Sequence, residues 1–279
     1  MLIDAHCHIL PDSFPQRHPQ LLAQDITYAT LFPTPDFRMA TAEDLVQAMN
    51  QAGVDKAVAT GMGWAGRELA VEVNDYIIQS LDRYPDRIIG FCTVNPAWGS
   101  TAIDEMERCA TAGLRGIGEL HPDTQGFDIT DRSVMLPLMG AARELGLPVL
   151  VHTSEPVGHL YPGKGHTTPD KLYRFIQNFP ENIIICAHWG GGLPFYALMP
   201  QVPEVLKNVY FDTAASPFLY RPEVFTAVSA LVGTGKILFG TDYPLIQHQR
   251  LLRQVKASGL DAEAQEAILG GNIARLLRL

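Results

Sequence analysis

Short runs rich in valine, isoleucine and leucine recur along the chain at 2–7, 54–60, 88–94, 114–120, 148–153, 183–188, 209–213 and 237–241. Each is apolar at nearly every residue and lacks the alternation of a half-solvated strand, so each reads as a strand buried on both faces. Between these runs the apolar positions fall three and four apart, which is the helical period. One helix starts at Thr41-Ala-Glu-Asp44, close to a capping box with Asp in place of the usual Glu or Gln, ahead of Leu45, Val46 and Met49. Another starts at Thr168-Pro169, with proline at the first helical position. Segments 67–84, 100–112, 131–145, 222–232 and 247–257 complete the set.

Eight buried strands alternating with helices predict an α/β chain closed into a (β/α)8 TIM barrel. An open doubly wound sheet is the competing arrangement, but it favours a glycine-rich phosphate loop after the first strand, and here that strand ends in histidines. No linker, low-complexity tract or composition break divides residues 1–279, so a single domain is predicted. Long insertions follow the first and fifth strands: 11–40, with Pro11, Pro15, Pro19, Pro33 and Pro35, and 155–167, which reads EPVGHLYPGKGHT. In a barrel both lie on the C-terminal face, where βα-loops build the active site; the alternative is solvated surface.

The chain is 47% hydrophobic and 18% charged, which suits a globular core and excludes disordered and fibrous classes. Lysine plus arginine is 21 against 30 for aspartate plus glutamate, a formal charge of −9, and no run of cations occurs. A nucleic-acid partner is therefore not expected, because phosphate binding needs clustered cations. No stretch reaches the roughly 18 apolar residues of a membrane helix, and Asp4 interrupts the N-terminus before any signal h-region, so a cytoplasmic protein is expected. Cys7, Cys92, Cys109 and Cys186 stand far apart with no CxxC pair and read as reduced, buried thiols.

Asp4-Ala-His-Cys-His8 closes the first run. Side chains alternate along a strand, so His6 and His8 point the same way, roughly 7 Å apart, where two imidazoles can meet one metal ion. Cys7 points to the opposite face, toward the helices, and is not counted as a ligand. An HxH alone is weak evidence, but Glu119, His152 and His188 end the fourth, fifth and sixth runs and Asp242 follows the eighth. A histidine or carboxylate directly after an apolar strand is costly unless something satisfies it, and a metal site on one rim accounts for all six.

This pattern resembles the amidohydrolase superfamily, and the closing Gly270-Gly-Asn-Ile-Ala-Arg-Leu-Leu277 resembles the C-terminal helix of its amidohydrolase-related branch, which includes aminocarboxymuconate-semialdehyde decarboxylase. The resemblance spans residues 4–277. It implies that His6, His8 and Asp242 hold a first metal, that His152 and His188 hold a second in two-metal members, and that Glu119 bridges the two. The bridge there is often a carboxylated lysine, which 114–120 lacks. In one-metal members His152 joins the first site and His188 acts on substrate. Nitrogen and oxygen donors without thiolate suit Zn²⁺, one or two per chain, with Mn²⁺ or Fe²⁺ compatible. The implied activity is hydrolysis of a small-molecule amide, ester or lactone by metal-activated water, with Asp242 moving the proton. The alternative is a metal-dependent lyase, a decarboxylase or hydratase of a carboxylated aromatic or unsaturated acid, favoured by one metal on His6, His8, His152 and Asp242. A barrel that binds without turnover is a third reading.

Further candidates carry two readings each. Arg67, Arg115, Lys164 and Arg221 are ordinary surface charges or clamps for a substrate carboxylate. Trp64, Trp189 and Tyr243 line a pocket or simply pack. His159, Tyr161 and His166 sit in the fifth βα-loop, as solvated loop or as part of a closing segment. His121 supports Glu119 as a neighbour. His18 and His248 are read as surface residues, and Asp212 is either a buried structural carboxylate or a rim residue near the metal. The expected partner is a small molecule that can bear a carboxylate; enzymes of this kind commonly pair through C2 contacts, so a homodimer is compatible.

Overall fold

A computed structural model describes residues 1–279. Eight parallel strands follow one another in space: β1 (Ile3–His8), β2 (Lys56–Thr60), β3 (Ile88–Gly90), β4 (Ile117–Leu120), β5 (Val149–Val151), β6 (Ile184–Cys186), β7 (Val209–Asp212) and β8 (Ile237–Leu238). The β3–β4 seam is closed by the Cys92 N–H donating to Gly116 O and the Gly118 N–H donating to Cys92 O, both at 2.9 Å. The β8–β1 seam is closed by the Ala5 N–H on Phe239 O and the His8 N–H on Tyr243 O, both at 2.7 Å. The ring is complete, and the fold is the (β/α)8 barrel that the alternating pattern predicts. No helix is long and apolar enough to cross a membrane.

The apolar helical segments form helices close to their predicted limits, among them Ala42–Ala52, Arg67–Arg83, Pro169–Asn178 and His248–Lys256. Thr41 and Asp44 make a complete capping box: Thr41 Oγ1 accepts from the Asp44 N–H at 3.2 Å and Asp44 Oδ2 accepts from the Thr41 N–H at 2.9 Å. Except for β1, the strands are shorter than the apolar runs, whose end residues lie outside the hydrogen-bonded ladders. Insertion 11–40 contains the helices His18–Gln24 and Ile26–Leu31, whereas 155–167 has no regular element.

Two layers of core follow from strand alternation. Val58, Leu150, Ile185 and Leu238 fill the barrel interior with Ile3 and Ala5, while Ala57, Ala59, Val149, Val151, Ile184 and Cys186 pack outward against the helices. Ile273 and Leu277 of the closing helix Asn272–Leu277 join the inner cluster and plug the end where the strands begin. Gly270 lets that segment approach, since a Cβ there would stand 2.1 Å from Met1 O.

Two bulges redirect the site residues. Asp4 pairs with Ala57 and Cys7 with Ala59, so β1 carries one residue more than β2 across that interval. Strict alternation from Ile3 and Ala5 would aim His6 and His8 outward; the bulge turns both inward and leaves Cys7 in the outer core, as the sequence reading had it. In β4, Ile117 pairs with Val149 and Leu120 with Val151, again one residue extra. Ile117 and Leu120 both pack outward, and Glu119 between them faces the axis.

Candidate active site

At the C-terminal mouth of the barrel, β1 delivers His6 and His8, β4 delivers Glu119, and the segments after β5, β6 and β8 deliver His152, His188 and Asp242. Glu119 lies between two groups of donors. Its Oε2 is 3.6 Å from His6 Nε2 and 3.7 Å from His8 Nε2, and its Oε1 is 3.0 Å from His152 Nδ1 and 3.5 Å from His188 Nε2. Asp242 Oδ1 stands 3.1 Å from His8 Nε2 on the first side. His6, His8, Glu119, His152 and His188 are all buried.

The outer nitrogens of three histidines are held by acceptors. His6 Nδ1 is 2.8 Å from Asp212 Oδ2, His8 Nδ1 is 3.0 Å from Gly61 O, and His188 Nδ1 is 3.1 Å from Ala214 O. Each acceptor keeps a proton on Nδ1 and turns the Nε2 lone pair toward the centre. The Nε2 atoms of His6 and His8 are then 3.0 Å apart with facing lone pairs, an arrangement that repels unless a cation or a proton lies between them. The residues therefore fit a divalent metal held by nitrogen and oxygen donors. Without a metal, protons take its place. Burial pushes His188 down, but its hydrogen bond to Glu119 and the charge of Asp242 outweigh burial and lift it to about 9. Burial raises Glu119, yet the His152 and His6 charges hold it well below the usual carboxylate range.

His188 and Asp242 also have left-handed backbones, φ 55° and 64°, as does Trp189 at 59°. Non-glycine residues there cost on the order of 1 kcal/mol or more, and the cost is met by local hydrogen bonds. The His188 N–H donates to Asp212 Oδ1 at 2.9 Å, and the Asp242 N–H donates to His6 O at 2.9 Å. Asp212 is thus the buried structural carboxylate of the two sequence readings, and it lies directly against the donor set.

Above these residues opens a cavity of about 690 Å³, a size suited to a small molecule. His8, Glu119, His152, His188 and Asp242 line it, together with apolar side chains that include Phe32, Phe37, Met62, Phe218 and Leu245. His159 and Tyr161 line it as the closing-loop reading requires, and so does His121. His166 does not: it is exposed and pairs with Asp123 Oδ1 at 3.1 Å.

The cations singled out in the sequence are elsewhere. Arg67 and Arg221 are exposed outside the cavity, Arg115 Nη2 donates to Leu277 O at 2.7 Å, and Lys164 Nζ is held by Glu155 Oε1 at 3.2 Å. The cavity cations are instead Arg38, from insertion 11–40, and Arg250, whose guanidinium stands 4.3 Å over the Phe218 ring. The sequence reading singles out neither: Arg38 lies in an insertion assigned to this face by its position alone, and nothing in the sequence marks Arg250 beyond its place in a helix. Trp64, Trp189 and Tyr243 are buried packing residues. His18 and His248 are buried rather than exposed. His18 Nδ1 meets the Tyr28 hydroxyl at 3.1 Å, and His248 shares the apolar face of its helix with Leu251 and Val255, under the Tyr243 ring and 3.2 Å from Asp4 Oδ2.

Comparison with known proteins agrees with this architecture. The family model described as Amidohydrolase matches residues 3–279. A 2-amino-3-carboxymuconate-6-semialdehyde decarboxylase from Dictyostelium discoideum is 24% identical, with 99% of this chain and 91% of the relative covered. A 5-carboxyvanillate decarboxylase structure from Sphingomonas paucimobilis superposes with a TM-score of 0.81 at 18% identity, covering 100% of this chain and 99% of that one. A 5-carboxyvanillate decarboxylase from Novosphingobium aromaticivorans, complexed with manganese and 4-hydroxy-3-methoxy-5-nitrobenzoic acid, gives 0.80 at 19% identity, covering 100% and 96%.

These relatives overturn the expectation of amide, ester or lactone hydrolysis, since they are named as decarboxylases. The physical reason is that the hydrolase reading leaned on Glu119 as a bridge, and a shared carboxylate sets how metal charge is held, not which substrate bond breaks. Nor is zinc singled out: the donors admit several divalent ions, and the Novosphingobium structure holds manganese. With its donor-bearing strand ends, its closing helix and a family match from residue 3 to residue 279, the chain belongs to the amidohydrolase family, in the branch that includes aminocarboxymuconate-semialdehyde decarboxylase.

Proposed function

We propose that this chain is a metal-dependent decarboxylase of a small carboxylated aromatic or unsaturated acid. The observation that carries the reading is the composition of the cavity: a floor of histidine and carboxylate donors under an apolar and aromatic wall, with Arg38 and Arg250 as its cations. That wall suits a flat, conjugated acid, and neither arginine has a carboxylate partner within the chain. The decarboxylase relatives support the same reading.

His6, His8, Asp242 and Glu119 Oε2 would hold a metal on one side of Glu119, with His152 and His188 facing Glu119 Oε1 on the other. A divalent ion, manganese or zinc, supplies a Lewis acid that fixes the substrate's oxygens and offsets their charge. The chain's own groups supply orientation and the proton. Decarboxylation breaks the bond between ring or vinyl carbon and carboxylate, releases carbon dioxide, and puts a proton on that carbon. Asp242 and His188 stand on the floor where a proton has to be held, with His188 Nε2 aimed inward by its Nδ1 contact to Ala214 O. The apolar side chains of the wall solvate a carboxylate poorly, which favours its loss as carbon dioxide.

The test is release of carbon dioxide by metal-replete protein from a panel of carboxylated phenols and unsaturated dicarboxylic acids. Turnover of at least one is expected, abolished by a chelator and by Asp242→Ala, with the fold of the variant checked by circular dichroism. No release across the panel from protein carrying its full complement of metal would overturn the reading.

A further inference from the structure

The four histidines of the site are not held alike. His6, His8 and His188 each have an outer nitrogen against a strong oxygen acceptor at 2.8 to 3.1 Å. His152 presents Nδ1 to Glu119, and its other nitrogen reaches only Ser154 Oγ at 3.5 Å, too long for a firm hydrogen bond. That serine oxygen already accepts from the Gly165 N–H at 2.9 Å. By hydrogen bonding alone, the His152 ring is the least constrained of the four.

What does restrain it is a second ring. His121 lies parallel to His152, with centroids 4.1 Å apart and planes 11° from parallel. His121 is itself clamped: it is buried, its Nε2 lies 3.1 Å from Gly163 O, and its backbone N–H donates to Gln125 Oε1 at 2.9 Å. Gln125 in turn donates from Nε2 to Trp64 O at 3.1 Å and to Val94 O at 3.0 Å, which ties the assembly to the segments after β2 and β3. Rotation of the His152 ring would have to break a face-to-face contact with a ring that cannot move with it.

We infer that His121 is a positioning residue for metal binding: by stacking, it fixes the ring plane of His152, the task that oxygen acceptors perform for the other three histidines. The inference rests on the metal-site part of the proposed function and not on the reaction. It differs from support of Glu119, since the contact that matters is the parallel one with His152. A supporting residue around a metal ligand typically changes affinity 10- to 100-fold when lost, and His121 is expected to fall in that range.

Two substitutions separate the ring from its hydrogen bond. His121→Phe keeps an aromatic plane beside His152 and loses the contact to Gly163 O; His121→Gln keeps an N–H at the reach of Nε2 and loses the aromatic ring. Affinity for Mn²⁺ is measured by chelator competition, and the ligand geometry is read from the visible absorption of Co²⁺-loaded protein, both without substrate. His121→Gln is expected to weaken Mn²⁺ binding at least tenfold and to alter the Co²⁺ spectrum, while His121→Phe stays within about threefold of the parent with the parent's spectrum. Ser154→Ala, which removes the long contact, is expected to stay within the same threefold limit. Equal losses in the Phe and Gln variants, no loss in either, or a tenfold loss in Ser154→Ala would each overturn the stacking role. Because turnover is not read, failure of the decarboxylase reading leaves this result intact.

Discussion

Asp212→Asn tests the central claim that the lone pairs of the site are aimed from behind. Asp212 is fully buried and hydrogen-bonded on both oxygens: Oδ2 accepts from His6 Nδ1 at 2.8 Å, and Oδ1 accepts from the N–H groups of His188 at 2.9 Å and Ala214 at 3.0 Å. Asparagine has nearly the same shape but one acceptor oxygen. If that oxygen keeps the two backbone donors, the amide NH₂ faces His6 Nδ1 and drives the imidazole proton to Nε2, onto the lone pair the metal needs. If it turns instead to His6, two buried backbone donors lose their acceptor. A charge-assisted buried hydrogen bond contributes about 1.5–3 kcal/mol, and support of a metal ligand of this type is usually a 10- to 100-fold effect on affinity. Metal affinity of Asp212→Asn is therefore expected to fall by about that factor. Chelator competition with Mn²⁺ and Zn²⁺ measures it, and thermal melts with and without metal check the fold. A variant that melts like the parent and binds both ions within threefold would refute the reasoning.

The metal-free protein should lose stability as pH rises. His188 is lifted to about 9 by its hydrogen bond to Glu119 and the Asp242 charge, against burial, so its contribution is fully present below the unfolded value near 6.5 and disappears as pH climbs through 9. That amounts to on the order of 2–3 kcal/mol, visible as a falling Tm between pH 6.5 and 9.5 in apoprotein. Apoprotein whose stability is flat or rising over that range contradicts the assignment. Far from the cavity, Glu105 accepts from Asn74 Nδ2, Arg108 Nε and Arg108 Nη2, each at 2.8 Å, in a buried network between two outer helices. Glu105→Ala leaves one Asn74 N–H without its acceptor, the amide staying bonded to the Thr93 backbone, and should cost about 1–3 kcal/mol in urea denaturation while leaving metal affinity unchanged; a loss of metal with no loss of stability would place Glu105 in the wrong role.

The barrel was legible because its elements announce themselves locally. Eight apolar runs, capped helix starts such as Thr41-Asp44 and a periodic spacing between them are properties of short segments, visible before any distant partner is known. The six donor residues were legible for a related reason. Histidine and carboxylate at the end of a buried run conflict with their surroundings, and that conflict is visible in one dimension. The structure brings all six to one mouth.

Other features depend on contacts across the barrel, and no local pattern carries them. The pairing of His6 with His8 follows from alternation, but their inward direction is set by a bulge against β2, and that of Glu119 by a bulge against β5. Asp212 could not be assigned until β7 stood beside β1. Arg38 and Arg250 become cavity cations only when insertion 11–40 and the helix after β8 meet over the same opening. His248 reads as a surface histidine until its helix turns it toward Asp4. Fold class, family and the candidate donor positions are readable in one dimension, because they rest on residue type, period and order along the chain. Which of these side chains meet at Glu119, which groups aim them and which cations face the cavity emerge only in three dimensions, because register and ring orientation are relations between segments far apart in sequence.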